Sequence, residues 1–334
     1  MSIMQFVVEL IWDYIVIVLM NKCMYKLTSM WSLNLLEIAA TSSTTLQNEG
    51  CIGYVCFHAR GGMLETKSVS SEDTKISSHM LSPEDIAKLE KDQKLVSEFK
   101  QNKFERDACK NWDLFYKRNT TKFFKDRHWT TREFKDLLNE SDSDKIALEV
   151  GCGVGNFLFP LLQETSLFFY ACDFSKRAVE FVKQNEYYDE KRCKVFECDI
   201  TEDDLMSHIP SQSVDIVSLI FVLSSIHPDK MLKCLQNIKK VIKPGGCLLF
   251  RDYGLYDHAM LRFAPGHKLA ENFYVRQDGT RAYYFSTEFI EHLLCDAGYD
   301  ICQLHYVKRE TVNKKEGLCV PRIFVQGKFM VTTS

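Results

Sequence analysis

The sequence predicts an α/β protein with a doubly wound, mostly parallel sheet, preceded by a helical segment. From residue 145 onward, apolar runs typical of strands alternate with helical patterns. The first of these runs ends in a glycine-rich turn, and the second and third each end in an aspartate. Because ligands of such sheets bind at the carboxyl ends of the strands, we expect a binding site where these turns and acids meet.

The predicted strands are short runs of apolar, β-branched and aromatic residues. They cover residues 145–151, 167–173, 193–199, 214–223, 247–252, 301–308 and 322–330. The helical patterns between them cover residues 175–185, 228–242 and 286–298. The turn Pro244-Gly245-Gly246 is predicted to precede the fifth strand. Repeated strand–helix units of this kind favour parallel neighbouring strands.

Composition excludes several classes of protein. The 334 residues are 46% hydrophobic and 26% charged, which is typical of a globular chain and excludes a disordered, collagen-like or polytopic membrane protein. The net charge of −3 excludes nucleic-acid binding by overall charge. Residues 100–135, however, hold 11 Lys/Arg against 5 Asp/Glu, whereas residues 136–250 hold 12 against 18. Two interpretations of the basic segment stay open: it binds an anion, or it is a solvated helical face.

The 13 cysteines are scattered singly, and no C-x-x-C pair occurs among them. This pattern favours reduced thiols, and therefore a cytoplasmic protein, with the nucleus as a second location. We expect neither a metal site nor a disulfide framework.

Residues 1–80 differ from the remainder of the chain. Residues 6–20 are apolar, but this run is shorter than a membrane span and contains Glu9 and Asp13. No basic residue precedes Lys22, and the first arginine is Arg60, which argues against a signal peptide and a mitochondrial presequence. We expect residues 1–80 to be an atypical extension outside the functional core, and we expect no membrane partner.

Residues 81–144 are predicted to be a helical segment in front of a catalytic domain at residues 145–334. The sequence Ser82-Pro83-Glu84-Asp85 has the signals of a helix start, and Leu89, Val96 and Phe99 continue at helical spacing. Between residues 110 and 134, aromatic residues alternate with Lys and Arg. Such rings could stack on unpaired bases, with the cations on phosphates, or they could pack the helix onto the main domain.

A glycine-rich loop follows the first strand, in the sequence EVGCGVGN at residues 149–156. Its G-x-G-x-G spacing is one residue shorter than the dinucleotide fingerprint, which disfavours a nicotinamide-linked oxidoreductase. Asp173 ends the second strand, where an acid binds ribose hydroxyls in Rossmann-like folds. Asp199 ends the third strand and could accept from an adenine amino group, with Ile200 covering the ring. Each acid alone could be a turn or cap residue, but the set together favours a nucleoside site.

Together these motifs resemble the class I S-adenosylmethionine-dependent methyltransferases, whose domain is Rossmann-like. Longer segments are similar to the tRNA 3-methylcytidine methyltransferases, and the similarity covers about residues 85–330. The segments are NWDLFYKRN, FFKDRHWTTREF, GCGVGN, YACDFS, FVLSSIHPDKM, LFRDYGLYDHAMLRF, NFYVRQDGTR and ETVNKKEGLCVPR.

The resemblance implies S-adenosylmethionine as the methyl donor and places two aromatic residues of the N-terminal segment over its site. The implied donor contacts are Trp112, Tyr116, Gly151, Gly153, Asp173, Asp199, Ile200 and Ile220. The implied acceptor is cytidine 32 in the anticodon loop of a tRNA. For the branch of this family that the chain most resembles, the resemblance further implies serine tRNA as substrate and seryl-tRNA synthetase as partner.

Neutral cytosine keeps a lone pair on N3, so methylation there needs alignment and proximity more than a strong general base. Asp252 and Tyr253 end the fifth strand at the correct edge of the sheet, and we expect them to hold the target base. Arg251 and His258 are second choices, and the alternative for Asp252 is a loop carboxylate paired with a nearby arginine. Phosphate contacts are expected from Lys117, Arg118, Lys122, Arg127, Arg262, Arg276, Arg281, Lys314 and Lys315.

Two other functions stay open. One is a methyltransferase of the same fold that acts on another RNA, a protein or a small molecule. The basic, aromatic segment argues against a small acceptor. The other is a non-catalytic RNA-binding protein, against which the intact glycine loop with Asp173 and Asp199 argues.

Overall fold

The computed structural model describes residues 81–121, 123–124, 126–127, 129–137, 145–313 and 318–332. The predicted extension at residues 1–80 lies outside the described residues, as do three predicted phosphate contacts, Lys122, Lys314 and Lys315.

Short helices form the N-terminal segment. They are α1 (Pro83–Lys91), α2 (Glu98–Arg106), α3 (Ala108–Asn119) and α4 (Thr130–Glu133). The predicted helix start is confirmed, because the Ser82 hydroxyl accepts a hydrogen bond from the backbone N–H of Asp85 at 3.1 Å. The continuous helix expected through Val96 and Phe99 is wrong. The backbone N–H of Val96 donates instead to the carbonyl of Lys268 at 2.8 Å, which ties an extended connection to the main domain and leaves Phe99 79% exposed.

A seven-stranded sheet confirms the predicted doubly wound, mostly parallel architecture. Its strands are β1 (Ile146–Val150), β2 (Phe168–Asp173), β3 (Cys193–Glu197), β4 (Val214–Ile220), β5 (Ile242–Tyr253), β9 (Asp300–Asn313) and β10 (Leu318–Met330). The order is β3-β2-β1-β4-β5-β10-β9, with β1 to β5 parallel and β10 antiparallel to both neighbours. The chain reverses its direction of progress between β1 and β4, so this is the topological switch point.

Helices cover both faces of the sheet. They are α5 (Leu158–Glu164), α6 (Lys176–Lys183), α7 (Pro228–Lys239) and α9 (Thr287–Asp296), where α9 follows a short helix α8 (His258–Leu261). Ala147 packs with residues of α5 and α6, whereas its neighbour Leu148 packs with residues of α7 and α9. Successive side chains of a strand point to opposite faces, so each face of β1 has its own hydrophobic core.

A small antiparallel sheet lies between β5 and α9 in the chain. It consists of β6 (Lys268–Ala270), β7 (Phe273–Val275) and β8 (Arg281–Tyr283). A hairpin turn joins β7 to β8, with the backbone N–H of Arg276 donating to the carbonyl of Thr280 at 2.7 Å and Gly279 at a φ of +84°.

The predicted turn at Pro244-Gly245-Gly246 does not precede the fifth strand but lies inside it. Strand β5 already begins at Ile242, and its pairing with β4 shifts register between Val214 and Ile216. Gly245 has a φ of +79°, so the glycine accommodates an irregularity within the strand.

Candidate active site

The glycine-rich loop after β1 adopts a conformation that only glycine accepts easily. Gly151, Gly153 and Gly155 have φ values of +65°, +54° and +90°. A Cβ atom at Gly151 would lie 2.4 Å from the Val222 side chain, and one at Gly153 would lie 2.9 Å from the Tyr116 hydroxyl oxygen. The loop is therefore enclosed by the turn after β4 on one side and by α3 on the other.

Asp173 at the end of β2 holds this loop in place. Its carboxylate accepts hydrogen bonds from the backbone N–H groups of Gly153 and Ser175, both at 2.9 Å. Burial raises the pKa of Asp173 to about 6, although the two N–H donors act in the opposite direction. Asp173 also lines the adjoining cavity, so it both supports the loop and is available to a ligand.

The cavity at the switch point has a volume of about 300 Å³, which suits a small-molecule site. Of the predicted donor contacts, six line it, namely Trp112, Tyr116, Gly151, Asp173, Asp199 and Ile200. Gly153 and Ile220 are not among its lining residues; the residues after Ile220, Phe221 and Val222, line it instead.

Asp199 and Ile200 lie directly beyond β3. One oxygen of Asp199, Oδ1, accepts from the backbone N–H and the hydroxyl of Thr201, at 3.0 and 2.7 Å. These bonds fix the carboxylate and leave Oδ2 as an acceptor for a ligand. Ile200 is buried in the cavity wall.

The outer wall of the cavity comes from α2 and α3. On α3, the ring centroid of Trp112 lies 5.9 Å from that of Tyr116 and 5.2 Å from that of the buried Phe115. Trp112 and Tyr116 pack with Phe115 and with Val154 and Ala178 of the main domain, which agrees with packing of the helix onto that domain, and both also line the cavity. Stacking of unpaired bases on these rings stays a prediction.

A network of charges joins α2 to the main domain at the rim. Glu105 forms ion pairs with Arg281 and with Lys230, the latter at 2.9 Å. Arg281 is buried and also donates to the carbonyl of Ser225 at 3.0 Å. Although burial pushes the pKa of Glu105 upward, Arg281 and Lys230 together hold it below its ordinary value. Arg281 was expected to contact phosphate, but its charge is paired within the protein.

Phe221 connects the cavity to an aromatic and arginine cluster at the end of β5. Its ring centroid lies 5.1 Å from that of Tyr253, which is half-buried. The guanidinium carbons of Arg276 and Arg322 lie 5.6 and 5.8 Å from the Tyr253 ring centroid. Phe221 itself has a φ of +60°, a strained conformation for a bulky residue and one that is frequent at functional sites.

Asp252 is fully buried beside this cluster. Its carboxylate accepts from the backbone N–H groups of Ser224 and Tyr253, both at 2.9 Å. Burial raises the pKa of Asp252 to about 6. The carboxylate thus joins the loop after β4 to the end of β5, which is a role in positioning Tyr253.

Arg251 is enclosed rather than exposed to an acceptor. Its guanidinium carbon lies 4.2 Å from the Trp129 ring centroid and 5.1 Å from that of Phe324. The Oε2 atom of Glu133 lies 3.7 Å from Nη1 of Arg251. Burial lowers the pKa of Arg251 to about 10. His258, another second choice, is the half-buried first residue of α8.

The remaining predicted phosphate contacts differ in exposure. Lys117 and Arg118 are exposed on α3, as is Arg262 after α8. Arg276 and Arg127 are half-buried, and Arg127 donates to the Ile220 carbonyl at 3.2 Å. The exposed cations are the ones whose charge is available to an anion in solution.

Within the described part of the chain, no group of three or more His, Cys, Asp or Glu residues could hold a metal ion. The nine cysteines whose side chains the structure describes form no disulfide. Among those same residues, no helix has the length and apolar character needed to cross a membrane.

The patterns in the sequence did not identify several residues of this site. Glu105, Lys230, Cys109 and His227 line the cavity, but each is an ordinary polar residue in its local sequence. Phe221 and Val222 continue an apolar strand pattern, so the signals for them were their position immediately after β4 and their place in the segment FVLSSIHPDKM.

Comparisons with known proteins agree with this geometry. Residues 148–248 match a family model described as a methyltransferase domain. The chain is 63% identical over 259 residues to human "tRNA N(3)-cytidine methyltransferase METTL6", which covers 76% of this chain and 91% of that protein. It is 44% identical to a Schizosaccharomyces pombe "tRNA N(3)-methylcytidine methyltransferase", over 70% of this chain and 96% of that protein.

A solved S-adenosylmethionine-dependent methyltransferase from Anabaena variabilis shares the fold. Its TM-score is 0.51 at 14% identity, and the match covers 67% of this chain and 95% of that one. The glycine loop, with no room for a Cβ at its three glycines, and the two acids that line the cavity after β2 and β3 fit a nucleoside ligand such as the S-adenosylmethionine that the Anabaena variabilis protein's name gives. The chain belongs to the family of tRNA N(3)-cytidine methyltransferases.

Proposed function

We propose that the protein methylates N3 of cytidine 32 in the anticodon loop of serine tRNA, by direct transfer from S-adenosylmethionine. The observation that carries this proposal is the position of Phe221. This residue lines the donor cavity, and its ring centroid lies 5.1 Å from that of Tyr253. A base against the Tyr253 ring would therefore lie next to the donor site. The human relative's name specifies the same base and atom in a tRNA.

The donor end of the reaction is a matter of binding and orientation. When bound, S-adenosylmethionine supplies a methyl group activated by a sulfonium charge. Asp173 would hold the ribose while it keeps the glycine loop in place, and Asp199 with Ile200 would hold the adenine. Trp112 and Tyr116 would close the site from α3 and exclude water.

The acceptor end requires no strong base, because neutral cytosine has a lone pair on N3. Tyr253 would present its ring face to the base, and such a face stabilises the positive charge that the base acquires. Asp252 would fix Tyr253 through its backbone N–H, and its negative charge would favour the cationic product. Arg251, which packs against Trp129 and Phe324, would support the same wall without contacting the base.

An unpaired cytidine suits this site because it costs little to unstack. Lys117 and Arg118 on α3, together with Arg262, offer exposed charges for the surrounding phosphates. The net charge of −3 is modest for an RNA-binding protein. We therefore propose that seryl-tRNA synthetase assists tRNA binding. We also propose that the protein acts in the cytoplasm and in the nucleus.

The test is methyl transfer from labelled S-adenosylmethionine into total tRNA, with and without seryl-tRNA synthetase, followed by nucleoside analysis. We expect the label in 3-methylcytidine of serine tRNA, with more label when the synthetase is present. Label in another nucleoside, or none while donor binding is intact, would refute the proposed acceptor. Normal turnover by Asp252→Ala would refute the role of that residue.

A further inference from the structure

A second cavity, of about 460 Å³, lies beneath α1 and shares no lining residue with the donor cavity. Its walls are mainly apolar side chains. They are Leu89, Met260, Leu261, Phe263, Pro265 and Tyr274. The rings of Phe263 and Tyr274 stack at 4.7 Å between centroids, with planes 11° apart. Of these two rings the half-buried Phe263 provides the flat aromatic surface of the cavity, whereas Tyr274 is almost fully buried.

Asp92 adds one polar group to this apolar cavity. The residue is 8% exposed and lines the cavity, and its Oδ1 has no hydrogen-bond partner among the described residues. Asp92 caps α1 through its backbone N–H, which donates to the carbonyls of Lys88 and Leu89. Its side chain does not serve that cap. A buried carboxylate oxygen without a donor is costly, so a ligand that supplies an N–H would satisfy it.

We propose that this cavity binds a second unpaired base of the substrate RNA, one that carries an exocyclic amino group. The base would insert its ring between the apolar walls and donate its amino N–H to Asp92. This inference rests on the proposed tRNA methylation, because the substrate supplies the second base. Three charged residues, Glu84, Lys88 and Lys91, stand at the rim. Lys88 donates to the Leu261 carbonyl, which leaves the exposed Lys91 for a neighbouring phosphate.

Aromatic contacts connect the second cavity to the proposed acceptor site. The ring centroids of Tyr274 and Tyr284 are 6.0 Å apart, and those of Tyr284 and Tyr253 are 5.8 Å apart. Tyr274 and Tyr284 are almost fully buried. One rigid cluster would therefore hold the target cytidine and a second base at a fixed separation, which selects for the shape of the loop.

A lysine or arginine side chain of a partner protein could also donate to Asp92. The flat walls favour a ring over a flexible cationic chain, because stacking uses the whole face of a base. The proposed substrate, the anticodon loop of a tRNA, has several unpaired bases, so a base is the occupant that we infer.

The first experiment compares Asp92→Ala with Glu90→Ala, a charge-matched change at an exposed position two residues away. The readouts for the full-length protein are melting temperature, S-adenosylmethionine affinity, and affinity for a labelled anticodon stem–loop of serine tRNA at low salt. A structural role alone predicts that removal of an unpartnered buried carboxylate raises stability and leaves RNA affinity unchanged. We expect Asp92→Ala to keep or raise the melting temperature, to bind S-adenosylmethionine normally, and to bind RNA about tenfold more weakly. Unchanged RNA affinity would overturn the proposal.

The second experiment removes the bases of the loop one at a time by abasic substitution. The wild-type protein should lose affinity at one position besides the target, and Asp92→Ala should lose nothing further at that position. Phe263→Leu, which keeps an apolar side chain but removes the stacking ring, should show the same coupling. Additive losses at every position would overturn the proposal. So would a weakened association of Asp92→Ala with seryl-tRNA synthetase at normal RNA affinity.

These binding measurements do not depend on turnover. Absence of 3-methylcytidine in the reaction of the wild-type protein would refute the proposed function by itself. The coupling between Asp92 and a base would still be read from affinity, so the two failures are distinguishable.

Discussion

The carboxylate of Asp173 accepts a hydrogen bond from the backbone N–H of Gly153 at 2.9 Å, so the end of β2 holds the loop that follows β1. Its other oxygen accepts from the N–H of Ser175 at the start of α6. The residue expected to bind ribose is therefore also the residue that shapes the glycine loop. The Asp173 side chain therefore both fixes the glycine loop and provides the expected acceptor for ribose.

Replacement Asp173→Asn tests this relationship. The amide places an NH2 group against one of the two backbone N–H donors, so one hydrogen bond is lost and two donors face each other. We expect donor affinity to fall by about 1–3 kcal/mol, which is at least about fivefold in Kd. Calorimetric titration with S-adenosylmethionine measures it. Asp189→Asn, at an exposed turn where the carboxylate accepts from the Lys191 N–H, is the control and should bind normally.

Donor binding should also depend on pH through Asp173. Burial raises its pKa to about 6, and only the ionised carboxylate accepts from both backbone N–H groups. We expect donor affinity to decline as pH falls through about 6, with Asp173→Asn showing a flat profile over the same range. A wild-type profile that is flat between pH 5 and 7 would contradict this role.

The same group affects stability in the opposite direction. Because the pKa in the folded protein lies above the unfolded value, the folded state binds more protons between about pH 4 and pH 6. The contribution of Asp173 to the free energy of unfolding therefore decreases as pH rises through that window. Urea unfolding of wild type and Asp173→Asn at pH 4.5 and pH 7 measures this contribution, and the difference between the two proteins should shift in favour of the variant at pH 7.

Gly153→Ala should damage the site by steric conflict. The added Cβ would lie 2.9 Å from the hydroxyl oxygen of Tyr116, which is buried, and the φ of +54° adds a backbone cost of about 1 kcal/mol. We expect a clear loss of donor affinity. Gly266→Ala is the matched control, because Gly266 has a φ of +90° with no atom within 4 Å of the added Cβ. Equal effects of the two substitutions on donor affinity would argue against the Tyr116 contact.

Glu105→Gln should loosen the outer wall of the donor cavity. It removes the charge that pairs with Lys230 and with the buried Arg281, at a cost of about 1–3 kcal/mol. We expect faster dissociation of S-adenosylmethionine in stopped-flow measurements, with a smaller change in the association rate. Glu202→Gln also removes a partner of Lys230, but at an exposed position, and should dissociate at the wild-type rate.

The parts of the site that the sequence predicted are those fixed by local order in the chain. The glycine loop and the acids follow directly in sequence the strands that position them. Gly151, Asp173 and Asp199 were identified for this reason, and all three line the cavity. The sheet was predictable on the same basis, because each strand–helix unit has its own pattern.

The rest of the site depends on contacts between distant segments. Glu105 and Arg281 are separated by 176 positions, and neither has a sequence neighbour that points to the other. The break between α1 and α2 depends on the pairing of Val96 with Lys268, so helical spacing alone could not reveal it. No local pattern linked Arg322 to Tyr253, because only the folded β10 brings the two residues together.

Tyr253 provides the test of the proposed acceptor wall. Tyr253→Ala removes the ring that lies near Phe221, Arg276 and Arg322, and with it the surface on which the base would stack. We expect kcat/KM for tRNA to fall at least about tenfold while the Kd for S-adenosylmethionine stays unchanged. Tyr253→Phe keeps the ring face and should retain most of the activity, since the face rather than the hydroxyl stabilises the cationic base. Tyr187→Ala, at a residue 53% exposed on the surface, is the control for loss of a tyrosine. If Tyr253→Phe were as inactive as Tyr253→Ala, the hydroxyl and not the ring face would carry the function.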